Sequence, residues 1–122
     1  MQYRRLEKLG IEVSAFGMGC MRFPMKDDGQ GGREVDESIS TPIIRHAIDN
    51  GLNYVDTAYV YSDRKNEKAV AHALRDGYRE KVYLATKIPT WDIHSPEDMD
   101  RLLAEQLANL ETDHIDFYLV HS

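Results

Sequence analysis

At 122 residues the chain is long enough for one small domain with a real core, and is about half of a typical ~250-residue eight-stranded barrel. Its 42% hydrophobic and 30% charged residues, with no apolar run of bilayer length, exclude a disordered or membrane-spanning chain. The net charge of -6, with basic residues clustered only as Arg4-Arg5 and Arg64-Lys65 beside acids, argues against a nucleic-acid surface. Cys20 is the only cysteine, so neither a disulfide framework nor a cysteine-rich metal site is expected, and no metal is assigned. The charged N-terminal stretch Met1 to Glu7 lacks the apolar core of a signal peptide, which points to the cytoplasm.

Taken in order, Lys8 to Val13 carries a glycine between short alternating runs and suits an N-terminal β-hairpin. Ala15 to Gly19 reads as a first buried strand, with Cys20, Met21 and Arg22 at its C-terminal mouth. Met25 to Gly32 is polar and glycine-rich and reads as a flexible loop; no Lys-Ser or Lys-Thr follows it, so it is not a phosphate-binding P-loop. Thr41-Pro42 is a good helix start and Gly51 a good stop, with Ile43, Ile44, Ala47 and Ile48 on one face. A second strand, Asn53 to Asp56, follows at once. A helix from Asn66 to Arg75 buries Val70, Ala73 and Leu74, and Gly77 terminates it. The third strand runs from Val82 to Thr86 and ends at Lys87. Ser95-Pro96-Glu97-Asp98 opens a third helix with a stripe of Met99, Leu102, Leu103, Leu107 and Leu110. The last strand, Ile115 to Val120, ends at His121.

This alternation predicts an α/β fold in which residues 1–122 form a single domain of parallel βα units, half of a (β/α)8 TIM barrel behind an N-terminal hairpin. A flavodoxin-like open sheet is the topological rival. Either way, four polar residues fall at or just beyond three consecutive strand ends: Asp56, Tyr61, Lys87 and His121. Asp56 and Tyr61 converge only if Thr57 to Val60 bend the phenol back over the strand end, as in a barrel-mouth site. Singly, each residue has a plainer reading. Asp56 and Lys87 could form a structural ion pair, Tyr61 could be an ordinary loop aromatic with Tyr59 as its competitor, and His121 could bond a backbone carbonyl. His46, His72, His94 and His114 read as solvated or helix-face residues. The joint placement favours a site.

The runs Asp56-Thr57-Ala58-Tyr59-Val60-Tyr61, Ala85-Thr86-Lys87 and Leu119-Val120-His121-Ser122 resemble, in order, the three active-site motifs of the aldo-keto reductases. Gly17 to Arg22 and the hairpin are similar to that family's opening segment, so the resemblance covers essentially the whole chain but only the N-terminal half of a family member. It implies reduction of a small-molecule aldehyde or ketone by hydride transfer from NADPH, with NADH as the alternative. Tyr61 would be the general acid, Lys87 and Asp56 its tuning pair, and His121 the group that orients the carbonyl. Cys20, Met21 and Asp56 would stand at the cofactor. The chemistry is sound on its own grounds. A tyrosine with its ordinary pKa of about 10 is a poor acid near neutrality, and a cation at about 4 Å supplies up to ~4 kcal/mol at an effective dielectric of ~20.

Since the family's second half carries much of the cofactor contact, the chain alone is expected to bind NADPH weakly and to be inactive. Two other readings remain at this level. Lys87 could form a Schiff base in a lyase, or the chain could be a non-catalytic half-barrel that self-associates through its open edge.

Overall fold

The computed structural model describes every residue from Met1 to Ser122. Strands β1 (Tyr3–Leu6) and β2 (Ile11–Ser14) form the expected antiparallel hairpin, with Gly10 in its turn at φ +67°. Next come β3 (Met18–Gly19), a second hairpin of β4 (Met25–Asp27) and β5 (Arg33–Val35), and helix α1 (Glu37–Asp49). Strand β6 (Tyr54–Asp56) leads to a single turn, α2 (Tyr61–Arg64), and helix α3 (Asn66–Ala73). Strand β7 (Tyr83–Pro89), helix α4 (Pro96–Asn109) and strand β8 (Phe117–His121) complete the chain.

The central sheet has the order β3-β6-β7-β8 and every pair in it is parallel. Strand order follows chain order with no reversal and a helical crossover between neighbours. That is the arrangement of half of a (β/α)8 barrel; a flavodoxin-like sheet would reverse direction at a switch point. Registry follows from the alternation of side chains. Val55, Leu84 and Cys20 point toward the helices and join Ile44, Ile48, Leu52, Val70, Leu74 and Leu110 in the main core. Fully burying an aliphatic side chain such as Ile44 or Leu84 contributes about 1.5–3 kcal/mol, so this layer fixes which residues face the other way. On that inner face lie Tyr54 and Asp56 of β6, Tyr83, Ala85 and Lys87 of β7, and Phe117, Leu119 and His121 of β8. The rings of Tyr54 and Phe117 pack at 5.3 Å and those of Tyr83 and Phe117 at 6.3 Å.

Several local expectations are corrected. The segment read as a flexible loop from Met25 to Gly32 is largely a hairpin. Asp28 Oδ1 accepts from the backbone N–H of Gln30 and of Gly32, so its glycines make a tight turn. Helix α1 begins at Glu37, not at Pro42, because Asp36 caps it by accepting from the N–H of Ser38; Pro42 lies inside, at the cost of one backbone donor. The first strand is shorter than Ala15 to Gly19 and retains only Met18–Gly19. On α4 the inward face holds Leu102, Gln106 and Leu110, whereas Met99 is half exposed. The stop at Gly51 holds, at φ +98°. A Cβ there would lie 2.8 Å from the hydroxyl of Tyr3, which donates to the Gly51 carbonyl and docks the N-terminal hairpin beneath the sheet.

Candidate active site

Asp56 ends β6, whereas β7 runs past the expected end at Lys87 to Pro89; Lys87 lies on the same inner face two residues beyond Ala85, the register partner of Asp56, which brings the two side chains together. The Lys87 ammonium donates all three of its protons: to Asp56 Oδ2 at 2.7 Å, to the Thr57 carbonyl at 2.8 Å and to Tyr61 Oη at 3.1 Å. Burial works against this charge, yet the hydrogen bonds with Asp56 and Tyr61 outweigh it and raise the Lys87 pKa above the ordinary lysine value of 10.5.

Tyr61 reaches Lys87 because the chain doubles back after Asp56. Ser62, Asp63 and Arg64 follow it at φ 52°, 53° and 64°, three consecutive non-glycine residues in the left-handed region. Such residues cost about 1–2 kcal/mol each and persist only where the surroundings over-determine them. Here the fully buried Asn66 accepts from Thr57 Oγ1 at 2.6 Å and donates to Ser62 Oγ at 3.0 Å and to the Cys20 carbonyl at 2.8 Å.

His121 ends β8 on the same face. Its ring stands edge-on to that of Tyr61 at 6.0 Å and packs against Trp91 at 5.4 Å. Thr90 Oγ1 donates to the His121 carbonyl at 2.7 Å, while His121 Nδ1 is buried with no hydrogen-bond partner. Above these groups opens a cleft of about 430 Å³, walled by Met21, Phe23, Met25, Val60 and Trp91 and carrying the charges of Arg33 and Asp63. A larger depression of about 640 Å³ lies at the other end of the strands, around Arg79 and His114. Arg79 donates there to Thr112 Oγ1, to the Val82 and His114 carbonyls and to Asp116 Oδ2, tying the start of β7 to the turn before β8.

Asp56, Tyr61, Lys87 and His121 are thus gathered at one rim, and Met21 lines the cleft beside them. Cys20 departs from its expectation as a cofactor contact: it is fully buried in the helix-side core and does not line the cleft. Burial, and then the Asp56 charge, push its thiol up to about 12. Tyr59 is removed as a competitor, being buried with its hydroxyl donated to Glu105 Oε1 at 2.9 Å. Of the remaining histidines, His72 pairs with Glu37 and His114 with Asp113. No group of three or more His, Cys, Asp or Glu is placed to hold a metal ion, and no helix is long and apolar enough to cross a membrane. Sequence reasoning missed Trp91, Phe23 and Arg33 in the cleft and the buried polar residues behind it. The polar Asn66-Glu67 pair opening an otherwise apolar helix face was the available signal.

Residues 15–122 match the family model described as the aldo/keto reductase family. Among curated proteins, the chain is 35% identical to the uncharacterized oxidoreductase YrpG of Bacillus subtilis, with 99% of the chain aligned to 40% of that protein. It is 34% identical to the aldo-keto reductase YhdN of the same organism, with 99% of the chain aligned to 38% of the relative. Among solved structures, an aldo/keto reductase from Klebsiella pneumoniae in complex with NADP and acetate matches with a TM-score of 0.77 at 31% identity, over 93% of this chain and 37% of that one. The holo form of the aldo-keto reductase AKR11C1 from Bacillus halodurans matches with a TM-score of 0.80 at 30% identity, over 99% of this chain and 40% of that one. The chain therefore spans about two fifths of the length of the relatives it matches. Sequence, fold and strand-end chemistry agree, and the chain belongs to the aldo/keto reductase family.

Proposed function

We propose that this chain supplies the proton-handling half of an NADPH-dependent reductase of aldehydes or ketones, with NADH as the alternative donor. One observation carries the reading: a single ammonium is hydrogen-bonded to both a carboxylate and a phenol that lines a cleft. Tyr61 gives its proton to the carbonyl oxygen, and Lys87 at 3.1 Å stabilises the phenolate left behind. Asp56 keeps Lys87 charged against burial. His121, at the end of the neighbouring strand β8, orients the carbonyl. The apolar walls of Met21, Phe23, Met25 and Trp91 suit a carbonyl carried on an apolar or aromatic body.

The residues fit the nicotinamide end of such a cofactor. The buried Nδ1 of His121 lacks a protein partner in a ring that lines the cleft, and the Met21 thioether and the flat Trp91 indole offer apolar contact beside Tyr61. The cofactor, when bound, supplies the hydride. Its phosphates would need more cations than the one arginine this cleft presents, which supports weak NADPH binding by residues 1–122 as a domain on their own. A cytoplasmic location belongs to the same reading.

The rival Schiff-base chemistry needs a neutral amine, and all three Lys87 protons are engaged with a raised pKa. Self-association has one observation in its favour: Val120 is 74% exposed on β8, an edge strand of the sheet. Sedimentation over a concentration series tests that pairing independently of the chemistry.

The catalytic reading is tested by joining residues 1–122 to the C-terminal remainder of the Klebsiella relative and following NADPH consumption with an aromatic aldehyde. Tyr61→Phe should lower the rate by about 10²–10⁴-fold, the usual worth of a positioned general acid. A variant as active as the parent would remove Tyr61 from the mechanism.

A further inference from the structure

Two adjacent residues, Asn66 and Glu67, open α3 and are both buried, yet neither lines the cleft. Their side chains point into different networks. Asn66 ties Thr57, the first residue after Asp56, to Ser62, the residue after Tyr61, and anchors both to the Cys20 carbonyl. It thereby closes the loop that carries the phenol and holds the left-handed turn in place. Glu67 faces the neighbouring strand and helix. Its carboxylate accepts from Thr86 Oγ1 at 2.7 Å, from Gln106 Nε2 at 2.9 Å and from Asn109 Nδ2 at 3.2 Å. Gln106 Nε2 in turn donates to the Lys87 carbonyl at 3.0 Å, and Gln106 Oε1 accepts from the Tyr118 hydroxyl. One residue thus fixes the Tyr61 loop and the next fixes the stretch of β7 that bears Lys87.

We propose that Asn66 and Glu67 are positioning residues whose joint attachment to one helical turn sets the separation between Lys87 and Tyr61. Both networks start from adjacent positions in one hydrogen-bonded helical turn, which ties a shift of the loop to a shift of the β7 backbone at Lys87 while both are intact. A hydrophobic pair at these positions would fill the same space but leave the left-handed turn and the Lys87 backbone without these ties. Its catalytic meaning rests on the reductase reading; its structural content does not.

The test is an alkaline titration of Lys87 by NMR on lysine-labelled chain, the signal being identified by its loss in Lys87→Met. In Asn66→Ala the Lys87 midpoint should fall by about one pH unit, the equivalent of one lost charge-assisted hydrogen bond, as Tyr61 moves away. Glu67→Gln should lower it in the same direction by a smaller amount, since Gln106 would lose its anionic acceptor and shift the Lys87 backbone. Tyr78→Phe, which removes an exposed hydrogen bond to Asp49, serves as a control that should not move it. An unmoved Lys87 midpoint with a lowered melting temperature would make Asn66 and Glu67 merely structural and overturn the proposal. Should either variant fail to fold, Ser62→Ala deletes only the 3.0 Å arm of the Asn66 cluster; a partial fall supports the proposal and no change overturns it.

Because this readout needs neither cofactor nor substrate, it separates the two claims. A completed barrel that reduces no carbonyl but keeps the Lys87 response sinks the reductase reading alone. An active barrel whose Lys87 ignores both variants sinks the positioning role alone.

Discussion

Breaking the Asp56–Lys87 pair one charge at a time measures how strongly the rim is coupled. At 2.7 Å and an effective dielectric of ~20, the direct attraction is about 6 kcal/mol before the cost of removing both groups from water. The side chains are only 15% and 28% exposed, so a large part of that cost is incurred and the net interaction is much smaller. Lys87→Met leaves Asp56 without its counter-ion, and Asp56→Asn does the same to Lys87; each should destabilise by about 3 kcal/mol. The double variant leaves no orphaned charge and should cost about 3–4 kcal/mol, not the sum, giving a coupling of about 2–3 kcal/mol. Urea unfolding followed by far-ultraviolet circular dichroism reads this, since 3 kcal/mol moves the midpoint by about 1–3 M at ordinary slopes. Additivity within about 0.5 kcal/mol would refute the reasoning, because it would mean that the two groups do not interact in solution. The same pair sets an alkaline limit. Since the folded pKa of Lys87 lies above its ordinary 10.5, its contribution is complete below 10.5 and is lost as pH rises through the folded value. Lys87→Met should lack that loss.

Two further outcomes follow from buried groups. Cys20 should resist thiol reagents in the folded chain, being fully buried with its pKa pushed up to about 12, so labelling in increasing urea should track unfolding; rapid native labelling would contradict the core assignment. Burial raises the Glu67 pKa above 4.5 despite the hydrogen bonds from Thr86, Gln106 and Asn109. Charging it therefore costs the folded chain more than the unfolded one, so stability should decline as pH rises from 4.5 through the folded value. Glu67→Gln should remove that slope, and an unchanged slope would place its origin elsewhere.

Much of the fold was legible because strand ends carry their own punctuation. The run ending at Asp56, the β-branched and aromatic stretch before Lys87 and the run before His121 each place a polar residue where the inner face meets the rim. The errors came from local signals that tertiary context overrode. Thr41-Pro42 is a good start in isolation, but Asp36 caps the helix earlier. Glycine and aspartate in 28–32 read as flexibility, where they build a hairpin turn around one carboxylate. Counting only apolar residues on α4 admitted half-exposed Met99 and skipped fully buried Gln106, because periodicity in hydrophobicity is blind to a polar side chain whose partners lie on other elements. Trp91 escaped because nothing local to a short 3-10 turn says that His121, thirty residues on, will pack against it.

One cation outside the cleft fastens one of its walls. Lys65, immediately before Asn66, donates to Asp28 Oδ2 at 3.3 Å and to the Arg33 carbonyl, fastening the β4–β5 hairpin to the chain that carries the phenol. Acetylating that amine would erase its charge and unlatch the hairpin, whereas methylation keeps the charge and most of the latch. Amine chemistry chosen merely to attach a dye or aid crystal growth would thus reshape the opening over Tyr61 without modifying any residue that lines it.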